Sequence, residues 1–183
     1  MESLTDNHLM LGVKAGDLDK LGLLFERYNR LLFRFFYNMH PNASQSEDLV
    51  QNVFVRVLTY RHRFNPDSSF KSWVFAIARN VQIDHFKKMK RTRTEDINDW
   101  QDYMGIQSDV SQQMTKQEDL RLLRMALQRL PEDKREILVL SKLKGMRYRE
   151  IGHLLDCSEG LVKVKVFRAL KALKKMYALL EDR

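Results

Sequence analysis

Glycine and proline are scarce, at 7 and 3 in 183 residues. So few turn formers cannot serve the many reversals of a multi-stranded β fold, so helices are expected. Cysteine occurs once, as Cys157. A lone cysteine excludes an internal disulfide and a cysteine-based zinc site, fits a reducing compartment, and reads as a small packed or turn residue. No stretch nears the roughly 20 apolar residues that span a bilayer. The opening residues Met1 to Asp6 show no basic segment followed by an apolar run, so no signal peptide is expected and the expected location is the cytoplasm. The five histidines (His8, His40, His62, His85, His153) lack metal-ligand spacing. A Gly-rich phosphate loop, a P-loop lysine and a nucleophile elbow are also missing, so neither enzyme chemistry nor a metal or cofactor is expected.

What is present suits a folded, basic, helical chain. Hydrophobic residues make up 44% and charged residues 31%, a composition that buries a core and stays soluble. Lysine and arginine number 32 against 24 acidic residues, a formal net charge of +8. That excess favours a polyanionic partner, nucleic acid ahead of an acidic membrane surface.

Residues 6–15 are weakly amphipathic and stop at Gly16-Asp17. From Leu18, the three-and-four spacing of Leu21, Leu24, Phe25, Tyr28, Leu31, Leu32, Phe35 and Phe36 predicts a long helix, broken at His40-Pro41-Asn42. Ser44 and Glu47 have the spacing of a capping box. The helix they would open carries Leu49, Val50, Val53, Phe54, Val57 and Leu58 on one face and Asp48, Gln51, Asn52 and Arg56 on the other. Phe64 to Ser69 has turn chemistry. A further helix from about Phe70 turns Phe70, Trp73, Val74, Ile77 and Val81 inward, a phase that makes Trp73 a core residue rather than a stacking platform. Between His85 and Thr94 come five basic residues and no acidic one; between Glu95 and Asp109 come five acidic residues and no lysine or arginine. The inversion marks a flexible acidic linker, taken as 94–115, between domains 1–93 and 116–183. Thr115 and Glu118 repeat the capping-box spacing. The helix after them carries Leu120, Leu123, Ala126, Leu127 and Leu130. Pro131 suits the first position of a helix with Ile137, Leu138, Leu140 and Leu143 inward, and Gly145 suits its end.

The fold class expected is all-α: two small helical domains joined by the linker, the second a helix-turn-helix. Tyr148 to Leu155 forms a short helix, Asp156-Cys157-Ser158 a tight turn with Ser158 as N-cap, and Glu159 to about Leu180 the last helix. At about 100° per residue, Val162, Val166, Ala169 and Leu173 fall on one side of that helix, with Leu170 at the margin. Lys163, Val164, Phe167, Arg168, Lys171, Lys174 and Lys175 fall on the other. A helix docked in the major groove needs this opposition, with apolar residues to hold its angle and cations toward phosphates and guanine edges. Val164 and Phe167 within the basic face suit thymine methyls or sugar edges.

Three stretches, in order, resemble the extracytoplasmic-function group of bacterial RNA polymerase sigma factors. Ser46-Glu47-Asp48-Leu49-Val50-Gln51-Asn52-Val53-Phe54 resembles the region that grips core polymerase. Phe70 to Asn80, followed by Asp84 and the basic run, resembles the region that melts and reads the −10 element. Leu130-Pro131-Glu132, Tyr148-Arg149-Glu150-Ile151-Gly152 and Ser158 to Lys163 resemble the domain that reads the −35 element. The resemblance implies core-polymerase contacts at Asp48, Gln51, Asn52 and Arg56. It implies −10 contacts at Phe64, Asn65, Ser69, Arg79, Asn80, Asp84, Lys87, Lys88 and Arg91. For the −35 element it implies Ser158, Lys163, Val164, Lys165, Phe167, Arg168 and Lys171. The implied partners are core RNA polymerase, through its clamp coiled coil and flap, promoter DNA, and an anti-sigma protein. Leu161 and Val164 depart from the Thr and Ser usual in the family, and Lys replaces Arg at 165, which makes a poorer bidentate guanine contact. Arg147 stands where a Ser or Thr cap is usual.

Strand separation costs about 1.4 kcal/mol of stacking per step. A protein without ATP chemistry meets that cost only by binding the opened strand, which needs a base pocket and cations along the backbone. The loop at Phe64–Ser69 beside Arg79, Asn80 and the lysine run could supply both, and Asn80 offers an amide donor and acceptor to a base edge. Two other classes fit less well: a helix-turn-helix regulator that binds duplex DNA without polymerase, and a basic interaction protein, which would not need the turn at 156–158. A recombinase would need a mixed-sheet catalytic domain where 1–90 reads as helix.

Overall fold

The structure is a computed structural model that describes residues 4–92, 113–142 and 146–181, with side chains described except at 90–92 and 113–117. The described residues form eight α-helices and no strand: α1 Asp6–Lys14, α2 Asp19–Met39, α3 Ala43–Thr59, α4 Phe70–Thr92, α5 Gln113–Gln128, α6 Glu132–Ser141, α7 Tyr148–Leu154 and α8 Glu159–Glu181. A single 3-10 turn, Arg61–Arg63, follows α3. The chain divides into two compact units. The first is built on α1–α4; the second holds α5–α8 together with Asn38–Pro41.

In the first unit, α4 packs against α3 and α1. Its first three turns are buried nearly all round: Phe70, Val74, Phe75, Ala78 and Val81 are at most 2% exposed. The spacing identified one stripe of this helix. Phe75, Ala78 and Gln82, off that stripe, are buried as well, because α4 runs through the middle of its unit. The α3 stripe holds as expected, with Val50, Val53, Phe54 and Val57 buried.

Helix starts show how the local chemistry is used. The α3 cap is Asn42, not Ser44: Asn42 is extended, and its side chain accepts the Gln45 amide at 2.9 Å. Ser46 is buried and donates to the Asn42 carbonyl at 2.7 Å. Ser69 caps α4, its hydroxyl accepting the Ser72 amide at 3.1 Å. The Asn42 and Ser69 contacts satisfy amides that a helix start leaves without partners. Helix α5 already runs from Gln113, so Thr115 lies inside it and residues 113–115 are helix rather than linker. The rest of the acidic segment, and Leu143 and Gly145, lie outside the described residues. Pro131 is the N-cap of α6, with ψ 146°, one residue before the position expected.

In the second unit, α8 packs against α5, α6 and α7. Arg135 on α6 is 9% exposed. It donates to the carbonyls of Leu127, Gln128 and Leu130 at 3.2, 2.5 and 3.0 Å. These carbonyls sit at the α5 C-terminus, where a cation meets the negative end of the helix dipole. Burial pushes the guanidinium below its ordinary value, and Glu132 opposes that shift. Leu120 and Leu123 of α5, expected on an apolar face, are 51% and 41% exposed, whereas Ala126 and Leu130 are buried.

Candidate nucleic-acid interface

The end of α7, the turn and α8 form the helix-turn-helix. Asp156 takes a left-handed backbone, φ 51°, a conformation that short polar Asp tolerates better than most side chains. The Cys157 amide donates to the Gly152 carbonyl at 2.8 Å. A Cβ on Gly152 would stand 2.5 Å from the Cys157 carbonyl oxygen. Glycine at 152 is therefore required for the turn to fold back this closely. Ser158 caps α8, accepting the Leu161 amide at 3.2 Å. At α7, Glu150 reaches back to accept the Arg147 amide at 2.8 Å, so half of a capping box survives without a Ser or Thr.

The two faces of α8 fall as the helical wheel places them. Val162, Val166 and Ala169 are buried and Leu173 is half-buried; Lys163, Val164, Lys165, Phe167, Arg168, Lys171, Lys174 and Lys175 are exposed. Phe167 is 69% exposed, the most open of the large apolar side chains among the described residues. Lys163 pairs with Glu159 at 3.0 Å, one turn back.

In the first unit, Asp48, Gln51 and Asn52 are exposed on α3. Arg56 joins them, but it is tied: its Nε donates to Asn52 Oδ1 at 3.1 Å and its Nη2 lies 2.8 Å from Asp84 Oδ2 on α4. An expected polymerase contact and an expected −10 contact are thus one ion pair. Beside this face, a cavity of about 360 Å³ is lined by Asn42, Ser44, Gln45, Asp48, Leu49, Asn52 and His85. Burial, helped by Lys88, lowers the His85 imidazole below its ordinary value.

The loop between the 3-10 turn and α4 departs from expectation at Phe64. Its ring is 1% exposed, edge-on to Trp73 at 5.3 Å and Phe70 at 6.2 Å. It anchors the loop from below and offers no face to a base, because an isolated aromatic at a loop start gains more by joining the core. Trp73 is half-buried in the same cluster, in keeping with its helical phase. Above it, Asn65, Asp67, Ser68 and Ser69 are exposed, with Asn65 Oδ1 accepting the Asp67 amide at 3.0 Å. Asn80, Asp84, Lys87 and Lys88 are exposed on α4 and Arg79 is half-buried; the Arg91 side chain lies outside the described ones.

Asn7 on α1 carries no sequence signal yet holds this loop. Its Nδ2 donates to the carbonyls of Pro66 and Ser68 at 3.0 and 2.8 Å, and its Oδ1 accepts the Phe70 amide at 2.7 Å. Lys14 Nζ donates to the Phe64 carbonyl at 3.1 Å. All four partners are main-chain groups some 50 to 63 residues away, which no local pattern encodes.

Among the described residues no group of three or more His, Cys, Asp and Glu is placed to hold a metal ion, and no helix is long and apolar enough to cross a membrane.

The sigma-70 region 2 family model matches residues 24–92, and the sigma-70 region 4 model matches residues 120–173. The chain is 34% identical over 164 residues to the ECF RNA polymerase sigma factor SigX of Bacillus subtilis, covering 87% of this chain and 84% of that one. It is 33% identical over 156 residues to SigM of the same organism, covering 84% and 93%. Its fold matches the sigma factor RpoE of Bartonella quintana, solved with the anti-sigma factor NepR, with a TM-score of 0.70 at 23% identity over 85% of this chain and 94% of that one. With both family regions in order and relatives above 30% identity over most of the length, the chain belongs to the extracytoplasmic-function family of RNA polymerase sigma factors, which direct transcription initiation.

Proposed function

We propose that each unit carries one half of promoter recognition. In the second unit, the exposed face of α8 docks in the −35 major groove, with Lys163, Lys165, Arg168 and Lys171 toward phosphates and base edges and Val164 and Phe167 on thymine methyls. The observation that carries this reading is the opposition on α8: Val162, Val166 and Ala169 are buried while Lys163, Arg168, Lys171, Lys174, Lys175 and Phe167 on the far side are open. In the first unit, Asn65 and Ser69 with Arg79 and Asn80 receive an unpaired −10 base, and Lys87, Lys88 and Arg91 follow the strand backbone. Phe64 supports the loop and Asp84 sets Arg56, neither touching DNA.

Asp48, Gln51, Asn52 and Arg56 dock on the clamp coiled coil of core polymerase, and the second unit meets the flap. The domains are 1–93 and a second one beginning at α5; the acidic segment between them runs along the polymerase toward the RNA exit path. An anti-sigma protein is the inhibitor, as the likeness to a sigma factor solved with one supports. The factor works in the cytoplasm, where the polymerase is, and does no catalysis itself.

Run-off transcription with core polymerase on genomic fragments tests the reading. Discrete transcripts should appear with this chain and vanish with Asn80→Ala or with Lys163→Ala/Arg168→Ala. Failure to bind polymerase, with tight sequence-specific binding to duplex DNA by the chain alone, would overturn it in favour of a conventional helix-turn-helix regulator.

A further inference from the structure

We propose that Asn7, assisted by Lys14, is a positioning residue for base selection at the −10 element: α1 sets the backbone of the loop that receives the unpaired base. The inference rests on the reading of that loop given above.

The loop's own side chains supply short-range ties. Among its side chains, Asn65 accepts the Asp67 amide and Ser69 caps α4. Ser68 Oγ donates back to the Asn65 carbonyl at 2.8 Å. Each of these ties spans three residues or fewer, so none sets the loop's height above α4. That height is fixed at two levels. From below, the buried Phe64 ring is lodged against Phe70 and Trp73. From the side, the half-buried Asn7 amide engages three main-chain groups within five residues of loop, with a donor on Pro66, a donor on Ser68 and an acceptor for Phe70. Lys14, about two turns further along α1, donates to the Phe64 carbonyl. Helix α1 is itself moored: Leu9, Met10 and Val13 are fully buried, and Asp6 meets Arg27 and the Tyr28 hydroxyl at 2.6 Å each.

The Asn7 and Lys14 bonds go to three loop carbonyls and the Phe70 amide, so they leave the side chains of Asn65, Asp67 and Ser68 exposed. An amide that fixes main chain while sparing the outward side chains suits a loop whose surface must present one geometry. Discrimination between bases is steeply sensitive to placement, because a polar group displaced by about 1 Å loses its hydrogen bond while stacking and charge survive. Freeing the loop should therefore cost selectivity before it costs affinity. The same bonds explain why the loop's position depends on a helix that lies outside the region 2 family match, which begins at residue 24.

The experiment uses holoenzyme assembled from core polymerase and the full chain. Its template is a promoter found by run-off transcription, prepared with each of the four bases at each unpaired −10 position. Wild-type holoenzyme should prefer one base at the position read by the loop. Asn7→Ala should reduce that preference by about tenfold, equivalent to the net worth of one or two hydrogen bonds. Core-polymerase affinity and −35 duplex binding should stay within about twofold. Asn7→Asp keeps the acceptor for the Phe70 amide and loses both donors to the loop carbonyls, so it should lose base preference while keeping the helical fold. Lys14→Met should lose part of it. If Asn7→Ala does not fold, Asn7→Asp decides. A wild-type preference that the folded Asn7 variants leave unchanged, or a loss equal for all four bases, would overturn the inference and leave the loop reading standing. A wild-type holoenzyme with no preference at any unpaired position would overturn both.

Discussion

Arg56 and Asp84 face each other across α3 and α4, with Nη2 and Oδ2 2.8 Å apart. The pair is partly open, at 28% and 56% side-chain exposure, so its contribution to stability is at most about 1 kcal/mol. Its value lies in orientation: Asn52 on α3 and Asp84 on α4 hold the guanidinium from two sides. Asp84→Ala should leave the melting temperature nearly unchanged and weaken core-polymerase binding a few-fold. In an Arg56→Ala background the same change should do nothing. A double-mutant cycle on polymerase affinity checks this, and additive effects would show that the two residues act separately.

On α8, Phe167 and Lys171 should fail differently. Phe167 is 69% exposed, so Phe167→Ala should shift stability by no more than about 0.5 kcal/mol. Its loss should fall on sequences carrying a particular thymine, costing about 1 kcal/mol there. Lys171→Ala should weaken binding to all duplexes alike and reduce the salt slope by about one. Titrations of −35 duplexes at several salt concentrations separate the two.

Two glycines near the turn make opposite predictions. Gly152→Ala drives a Cβ to within 2.5 Å of the Cys157 carbonyl oxygen, a main-chain atom that cannot rotate away. It should destabilise the second unit by about 1–3 kcal/mol and remove −35 binding with it. At Gly160 the nearest atom is Ser158 Oγ at 4.0 Å. Gly160→Ala should be neutral or stabilising by up to about 1 kcal/mol, through helix propensity. Thermal melts of both variants provide the check.

Stability should also vary with pH through His85. Its imidazole is held below the ordinary value of 6.5, first by burial and then by Lys88. Its Nε2 is buried with no hydrogen-bond partner among the described residues. The unfolded chain takes up the proton near 6.5, and the folded chain only at a lower pH. Between those values unfolding binds a proton, so stability is full above about 6.5 and declines as pH falls through that window. His85→Gln should flatten the fall of the melting temperature as pH drops below about 6.5. An unchanged pH profile would show that His85 does not contribute.

How much of this was legible depended on whether the deciding contact was local. Helix α8 could be read fully because one side meets a core and the other meets solvent, so a 3.6-residue period contains the whole answer. Helix α4 could be read only in part, since Phe75, Ala78 and Gln82 are covered from other directions. The spacing points to Ser44 as the α3 cap, two residues after Asn42, because the two have equivalent capping chemistry, and what decides between them is the extended backbone after Pro41. Phe64 reads as a −10 contact because its neighbours in sequence form a loop, although its ring is held by Trp73 and Phe70. Asn7 gave no signal at all, because a side chain that binds distant main chain leaves no trace in residue types.

The edge-on contact between Phe64 and Trp73 makes the −10 loop optically visible. The indole sits half-buried directly beneath the loop's first residue. Any lifting of that residue would admit water to the ring and shift its emission to longer wavelength. The sequence holds only two tryptophans, Trp73 and Trp100. Replacing Trp100 with phenylalanine would leave one native tryptophan, under the loop proposed above to receive DNA, to report when that loop moves.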